Sequence, residues 1–205
     1  MAFVVLIGGG SASGKTRFAR FLHAELGPSR AALIQEDAYY HPAAVRGPGD
    51  TRVYNFDQPH TKDFALLAAH VAAARAGRAF DLPHYDFAIH DRTDEVTPVA
   101  AAEVLILEGM HCLGDPALRG LADHTVFVDA GTATRRIRRI ARDVAERGRT
   151  AADTARQFDA VVEPMHRLHV APTRDLARLC LTNDGDIAVL HSAARALAAE
   201  IAGRV

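Results

Sequence analysis

Cysteine is scarce in this 205-residue chain: Cys112 and Cys180 are the only two, far apart and without metal-ligand spacing. Two such thiols exclude a disulfide framework and fit ordinary packing in a reducing compartment. Lysine is as scarce. Lys15 and Lys62 are the only lysines among 24 lysines and arginines, an imbalance that codon bias accounts for. A lysine kept at position 15 in such a background marks a place that needs a compact ammonium. Excess charge is lacking too. At a net −1 the bulk field favours neither nucleic acid nor a membrane surface, so a polyanionic ligand must be bound locally. No apolar run is long enough to span a bilayer. Phe3-Val4-Val5-Leu6-Ile7 has no basic segment before it and stops at three glycines, which reads as a buried strand and not as a leader. The expectation is a cytoplasmic protein.

What is present is an ordinary globular balance, 49% hydrophobic and 24% charged, enough for one domain over 1–205. Short apolar runs at 2–7, 31–35, 103–107, 124–129 and 178–182 alternate with helical patterns at 14–26, 61–76, 131–147, 153–169 and 187–202. That alternation predicts an α/β fold, a parallel sheet flanked by helices. Residues 79–99, polar and aromatic between Asp81-Leu82-Pro83 and Val99, predict an inserted β-hairpin subdomain. Residues 38–60, rich in Gly, Pro and Tyr, predict a long surface loop of the kind that is usually functional.

Gly9-Gly10-Ser11-Ala12-Ser13-Gly14-Lys15-Thr16 matches G-x-x-x-x-G-K-[ST] in full, between an apolar strand and a helix. Such a loop curls so that successive N–H groups converge on phosphate oxygens, helped by the helix N-terminus. Lys15 is expected to bridge the β- and γ-phosphates and the Thr16 hydroxyl to ligate Mg²⁺. This places the chain with P-loop nucleotide binders and leaves the acceptor open.

Two carboxylates follow strands. Asp37, after Gln35-Glu36, is placed to accept a proton from an attacking hydroxyl or to join the magnesium shell, although a loop aspartate equally serves a turn or cap. Glu108 ends Val104-Leu105-Ile106-Leu107 and is placed to hold Mg²⁺ directly or through water. In a helix from 132, Arg135, Arg139 and Arg142 share one face. Ile137, Ile140, Ala141 and Val144 fall opposite and are expected to face a core. Arg147 and Arg149 flank Gly148 just beyond. Such a stripe is either a solvated basic face or a lid over 131–150 that closes on a triphosphate.

These motifs, in this order over nearly the whole chain, resemble the uridine kinase family, within the group that includes phosphoribulokinase. Glu36-Asp37-Ala38-Tyr39-Tyr40 looks like the segment whose aspartate is the family's base. Asn55-Phe56-Asp57-Gln58-Pro59 is similar to its ribose-contacting motif. Tyr85-Asp86-Phe87 with His90 and Arg92 resembles the base-recognition hairpin, and Leu107-Glu108-Gly109 the metal-binding segment. Arg142-Asp143 through Glu146-Arg147-Gly148-Arg149 resembles the arginine-rich lid, and Gln157 stands where the family has a glutamine near the nucleoside.

The resemblance implies transfer of the γ-phosphate of ATP or GTP to the 5′-hydroxyl of uridine or cytidine, with Mg²⁺. Lys15, Asp37, Arg142 and Arg147 would be catalytic, and Thr16, Glu108 and Asp37 would serve the metal. Asp37, Tyr39, Phe56, Asp57, Tyr85, Phe87, His90, Arg139, Arg149 and Gln157 would contact the nucleoside. The residue chemistry agrees: aromatic faces suit a base, Asp57 and Arg149 suit vicinal hydroxyls, and a neutral His90 can read either pyrimidine edge. The implied partners are a nucleoside and a nucleoside triphosphate, without nucleic acid or membrane, in a homotetramer or homodimer. The chain departs from the family at 41–54, at Thr182-Asn183-Asp184-Gly185-Asp186 where an arginine-glycine step is common, and at Arg174 where lysine is usual. Two other readings stand beside this one. The first is a related kinase of another ribosyl acceptor such as nicotinamide riboside; the hairpin aromatics and His90 argue against phosphoribulose. The second is a non-catalytic nucleotide sensor, which the joint presence of Lys15, Asp37 and Glu108 argues against.

Overall fold

The computed structural model describes residues 1–47 and 54–205. In chain order the elements are β1 (Phe3–Gly8), α1 (Lys15–Leu26), β2 (Ala31–Gln35), α2 (Ala43–Arg46), α3 (Phe64–Arg75), β3 (Phe80–Asp86) and β4 (Asp91–Val99). They continue with β5 (Val104–Glu108), α4 (Pro116–Leu121), β6 (His124–Asp129), α5 (Thr132–Arg147), α6 (Ala151–Gln157), α7 (Glu163–Met165), β7 (Leu179–Thr182) and α8 (Ala188–Ala202). The main sheet runs β2-β5-β1-β6-β7, all parallel. Alternation along β1 divides the core. Val5 and Ile7 pack with Phe18 and Leu22 of α1 and Leu190 and Ile201 of α8. Val4 and Leu6 pack with Leu67 and Val71 of α3 and Leu118 of α4. Every residue of β5 is buried, as a central parallel strand covered on both faces must be. No helix among the described residues is long and apolar enough to cross a membrane.

The chain runs from β1 to β2 on one side and later to β6 on the other, so the crevice above the carboxyl ends of β1 and β5 is a topological switch point. The expected hairpin is present as β3 and β4, antiparallel, with a register shift between Pro83 and Tyr85 that accommodates a residue unable to donate. The segment expected as a long loop is more ordered than its composition suggested. It contains a 3₁₀ turn at Glu36–Tyr39, α2, a second 3₁₀ turn at Pro59–Thr61, and a β-bridge between Tyr40 and Lys62. Residues 48–53 of it lie outside the described residues.

The helix expected at 153–169 begins at Ala151 and includes π-helical turns at Phe158–Val162 and His166–Val170. Pro164 lies between them; a proline removes one N–H and crowds the preceding turn, and widening the helix on both sides relieves that. α4 had no counterpart among the expected elements; it is six residues long, capped by Asp115 and opened by Pro116.

Candidate active site

The phosphate-binding loop is held from below and behind. Gly14, the N-cap of α1, has φ +103°, and a Cβ there would strike the Asn183 amide. That amide donates to the Ser13 carbonyl at 2.7 Å, and Asp184 accepts from Gly131 N–H at 2.6 Å. Thus the 182–186 loop braces the phosphate loop and the start of α5. Thr16 Oγ1 donates to Glu108 Oε1 at 2.9 Å, and Gln35 Nε2 donates to the same oxygen at 2.8 Å. A hydroxyl and a carboxylate so joined are hard oxygen donors that suit Mg²⁺, which takes few protein ligands and completes its shell with phosphates and water. No cluster of three or more carboxylate, imidazole or thiol ligands occurs among the described residues.

Asp37 lies just past the carboxyl end of β2, and its side chain keeps 57% exposure, opening to the crevice. Lys62 approaches from below, its Nζ 2.5 Å from Asp37 Oδ1 and its side chain fully buried. Crowding by protein atoms acts to raise the Asp37 pKa, but Lys62, Lys15 and Arg147 outweigh it and lower the value to about 2. The neighbouring Glu36 is buried, with Oε2 accepting from His111 N–H at 2.9 Å. Gly109 must be glycine here, because a Cβ would overlap that carboxylate. For Glu36 burial prevails over Lys62 and the pKa rises to about 7. Sequence reasoning gave Lys62 no role, although the scarcity of lysine that singled out Lys15 applied equally to it.

The aromatic pocket forms, with one correction. Tyr39 is not part of it. It has no exposure, packs with Ile34, Leu67 and Val71, and its hydroxyl meets His70 Nδ1 at 2.9 Å. The next residue, Tyr40, faces the crevice instead, with ring centroids 5.6 Å from Phe56, 5.0 Å from Tyr85 and 6.4 Å from Phe87. Successive side chains of a 3₁₀ turn diverge by about a third of a turn, so only one of two adjacent tyrosines can reach the cleft. His90 stacks on Phe56 at 4.9 Å with 19° between planes, from a backbone at φ +55°. A non-glycine residue held there marks a constrained hairpin tip. Burial and the charges of Arg46 and Arg149 hold its imidazole neutral, below the usual range. Arg46 Nη1 donates to the His90 carbonyl at 2.7 Å, and Arg92 ties the hairpin to Tyr40 O and Asp63. Asp57 has its pKa raised by burial, opposed by Arg139.

The second correction concerns α5. Its inward face is Arg135, Arg139 and Asp143, all buried, whereas Ile137 and Val144 are 67% and 44% exposed. Arg135 is structural: it pairs with Glu163 Oε2 at 2.6 Å and Ala130 O at 3.0 Å. Arg139 reaches Ser11 Oγ of the phosphate loop at 2.8 Å and Gln157 Oε1 at 3.4 Å. Arg149 donates to that same Gln157 oxygen at 2.5 Å. Asp143, fully buried, sits within 4 Å of Arg139, Arg142, Arg147 and Arg149. Four guanidiniums around one carboxylate leave a positive excess, and Arg139 joins that cluster to Ser11 of the phosphate loop. Asp143 was legible only as part of a motif; its role as common counter-ion needs the fold.

A family model described as the Phosphoribulokinase / Uridine kinase family matches residues 4–188. A uridine kinase from Clostridium perfringens is 36% identical over 179 residues, covering 87% of this chain and 86% of that protein. A uridine kinase from Brevibacillus brevis is 38% identical over 183 residues, covering 88% and 86%. Among solved structures, phosphoribulokinase from Rhodobacter spheroides aligns with a TM-score of 0.62 at 15% identity, over 88% of this chain and 70% of that one. D-glycerate 3-kinase from Cryptococcus neoformans aligns at 0.58 and 19% identity, over 82% and 78%. The last two share the fold; the family match and the closer relatives carry the assignment, and the chain belongs to the phosphoribulokinase and uridine kinase family.

Proposed function

We propose that this protein is a pyrimidine nucleoside kinase that transfers the γ-phosphate of ATP or GTP to the 5′-hydroxyl of uridine or cytidine. The observation that carries the reading is the position of Asp37. It stands between a phosphate-binding loop and an aromatic pocket, within the field of Lys15 and Arg147. The matching relatives named uridine kinase support it. Lys15 grips the donor phosphates, and Arg139, Arg142 and Arg147 gather around the migrating phosphoryl group as the lid closes. Thr16 and Glu108 would hold Mg²⁺, which when bound would neutralise charge on the phosphates.

Asp37 accepts the hydrogen bond of the 5′-hydroxyl and aims its oxygen at the γ-phosphorus. A carboxylate with so low a pKa is a weak base, but a loose transition state asks first for orientation and receives the proton late. The nucleoside base enters among Tyr40, Phe56, Tyr85 and Phe87, which requires His90 and Phe56 to part. Asp57 with Arg149 takes the ribose hydroxyls, and Gln157 holds both Arg139 and Arg149.

The test is ADP release with uridine, cytidine, nicotinamide riboside or no acceptor, together with Asp37→Asn. The expected result is acceptor-dependent turnover with the pyrimidine nucleosides. For the variant, kcat falls by about three orders of magnitude while nucleoside binding is nearly unchanged. Hydrolysis that ignores the acceptor would end the kinase reading, and near-normal turnover of the variant would end the role of Asp37.

A further inference from the structure

Lys62 lies buried beneath the crevice, one residue before Asp63, whose side chain caps α3 by accepting from Leu66 N–H at 3.0 Å. Two backbone bonds clip its segment to the one carrying the candidate base: His41 N–H donates to Thr61 O at 2.9 Å, and Asp63 N–H to Tyr39 O at 2.7 Å. Between them Lys62 and Tyr40 form an antiparallel bridge. The buried ammonium has three neighbours: Asp37 Oδ1 at 2.5 Å, Glu36 Oε1 at 4.0 Å, and the Tyr40 ring centroid at 3.2 Å. A compact ammonium can sit over the ring and still address two carboxylates from one point, which fits a lysine in a chain otherwise built on arginine.

A buried ion pair is a poor device for stability alone, because well-packed apolar residues of similar volume do as well or better. The partners of Lys62 also differ from those of an ordinary scaffold pair. Besides the buried Glu36, one is a carboxylate left 57% open to the crevice and another the tyrosine at the centre of the aromatic pocket. One Asp37 oxygen is taken from beneath, so the other is the one presented to an incoming group. One face of Tyr40 is covered, so the ring is held at a fixed height relative to that carboxylate.

We infer that Lys62 is a positioning residue for phosphoryl transfer. It holds Asp37 by one oxygen so that the second addresses the acceptor hydroxyl. By pinning Tyr40 it also sets the span between that carboxylate and the slot for the base. The inference rests on the kinase reading above and assigns a role to a residue that reading does not use.

A double-mutant cycle on the full chain tests it. Lys62→Met and Lys62→Gln are assayed alone and combined with Asp37→Asn, with kcat and KM for both substrates and thermal melts on each protein. The wild-type assay comes first: no nucleoside phosphorylation there would sink the kinase reading itself, and this inference with it. With wild type active, Lys62→Met is expected to lose about 100-fold in kcat, the scale of a misplacement near 1 Å, with the KM for ATP within about threefold. In the Asp37→Asn background the same substitution is expected to cost little more, because Lys62 acts through Asp37. Lys62→Gln, which keeps a donor near Asp37 without the charge, is expected to fall between and serves if the methionine variant does not fold. A folded Lys62 variant with wild-type kcat would overturn the inference while leaving the kinase reading intact. Losses that simply multiply in the double variant would overturn it too, since they would mean a general structural role.

Discussion

At the scale of single residues, the pair Tyr39 and Tyr40 shows how one position decides a role. Both are aromatic and adjacent, and both follow the candidate base. Tyr39 is committed to the core through His70 and Leu67, while Tyr40 carries Lys62 on one face and meets Phe56, Tyr85 and Phe87. Tyr39→Phe should therefore cost about 1 kcal/mol of stability, the net worth of one hydrogen bond, and leave the steady-state constants alone. Tyr40→Leu should do the reverse: the KM for nucleoside rises about tenfold with the loss of a stacking face, and the melting temperature changes less. Urea titration and nucleoside saturation curves on both proteins check the pair. Neither outcome could be assigned from the sequence, since a repeat of the same residue type gives no clue to which side chain the turn directs inward.

Among elements, α5 is the instructive one. Its sequence has two plausible inner faces, an apolar one and an arginine one, and periodicity alone favours burying Ile137, Ile140, Ala141 and Val144. The helix does the opposite because Asp143, Gln157, Glu163 and Ser11 supply partners for the arginines that a core could not. Ile137→Gln and Val144→Gln should then shift stability by no more than about 0.5 kcal/mol, as surface changes do; a loss of several kcal/mol would place that face in a core after all. Asp143→Asn should be costly. Three of its four partners are 32% to 46% exposed, so the loss is discounted to about 2 kcal/mol. With the arginines left to repel one another, kcat should also fall at least about tenfold, read against a thermal melt of the same preparation.

At the scale of the whole molecule, the same packing that builds the crevice buries imidazoles. Burial, reinforced by the charge of Lys62, holds His111 down to about 3; burial and Arg135 hold His166 to about 4. In the unfolded chain both protonate near 6.5. Below that value the unfolded state binds more protons, so the stability these groups leave intact above pH 6.5 is lost as pH falls toward their folded values. Glu36, raised to about 7, works the other way, its share being lost as pH rises from 4.5 to 7. The two histidines together outweigh it, about 2 kcal/mol each by pH 5 on the linkage relation. Urea midpoints should therefore drop between pH 7.5 and 5.0, and His166→Gln should remove part of that slope.

Much of the molecule was legible from residue order. The glycine-rich loop between β1 and α1, the strand–helix alternation, the hairpin, and the acids at or just past the ends of β2 and β5 are local patterns, set by neighbours a few positions away. What the tertiary structure alone decided involves pairs distant in sequence. Asn183 and Ser13 are brought together by parallel strands, Lys62 reaches Asp37 across a bridge of two loop segments, and Asp143 gathers arginines from two sides of a glycine cap. A short-range pattern records which way a chain can fold, but not which partners wait on the far side. For buried charge, the partner determines whether a side chain turns inward at all. That is why the arginines of α5, and the second of two lysines, had their places settled only in three dimensions.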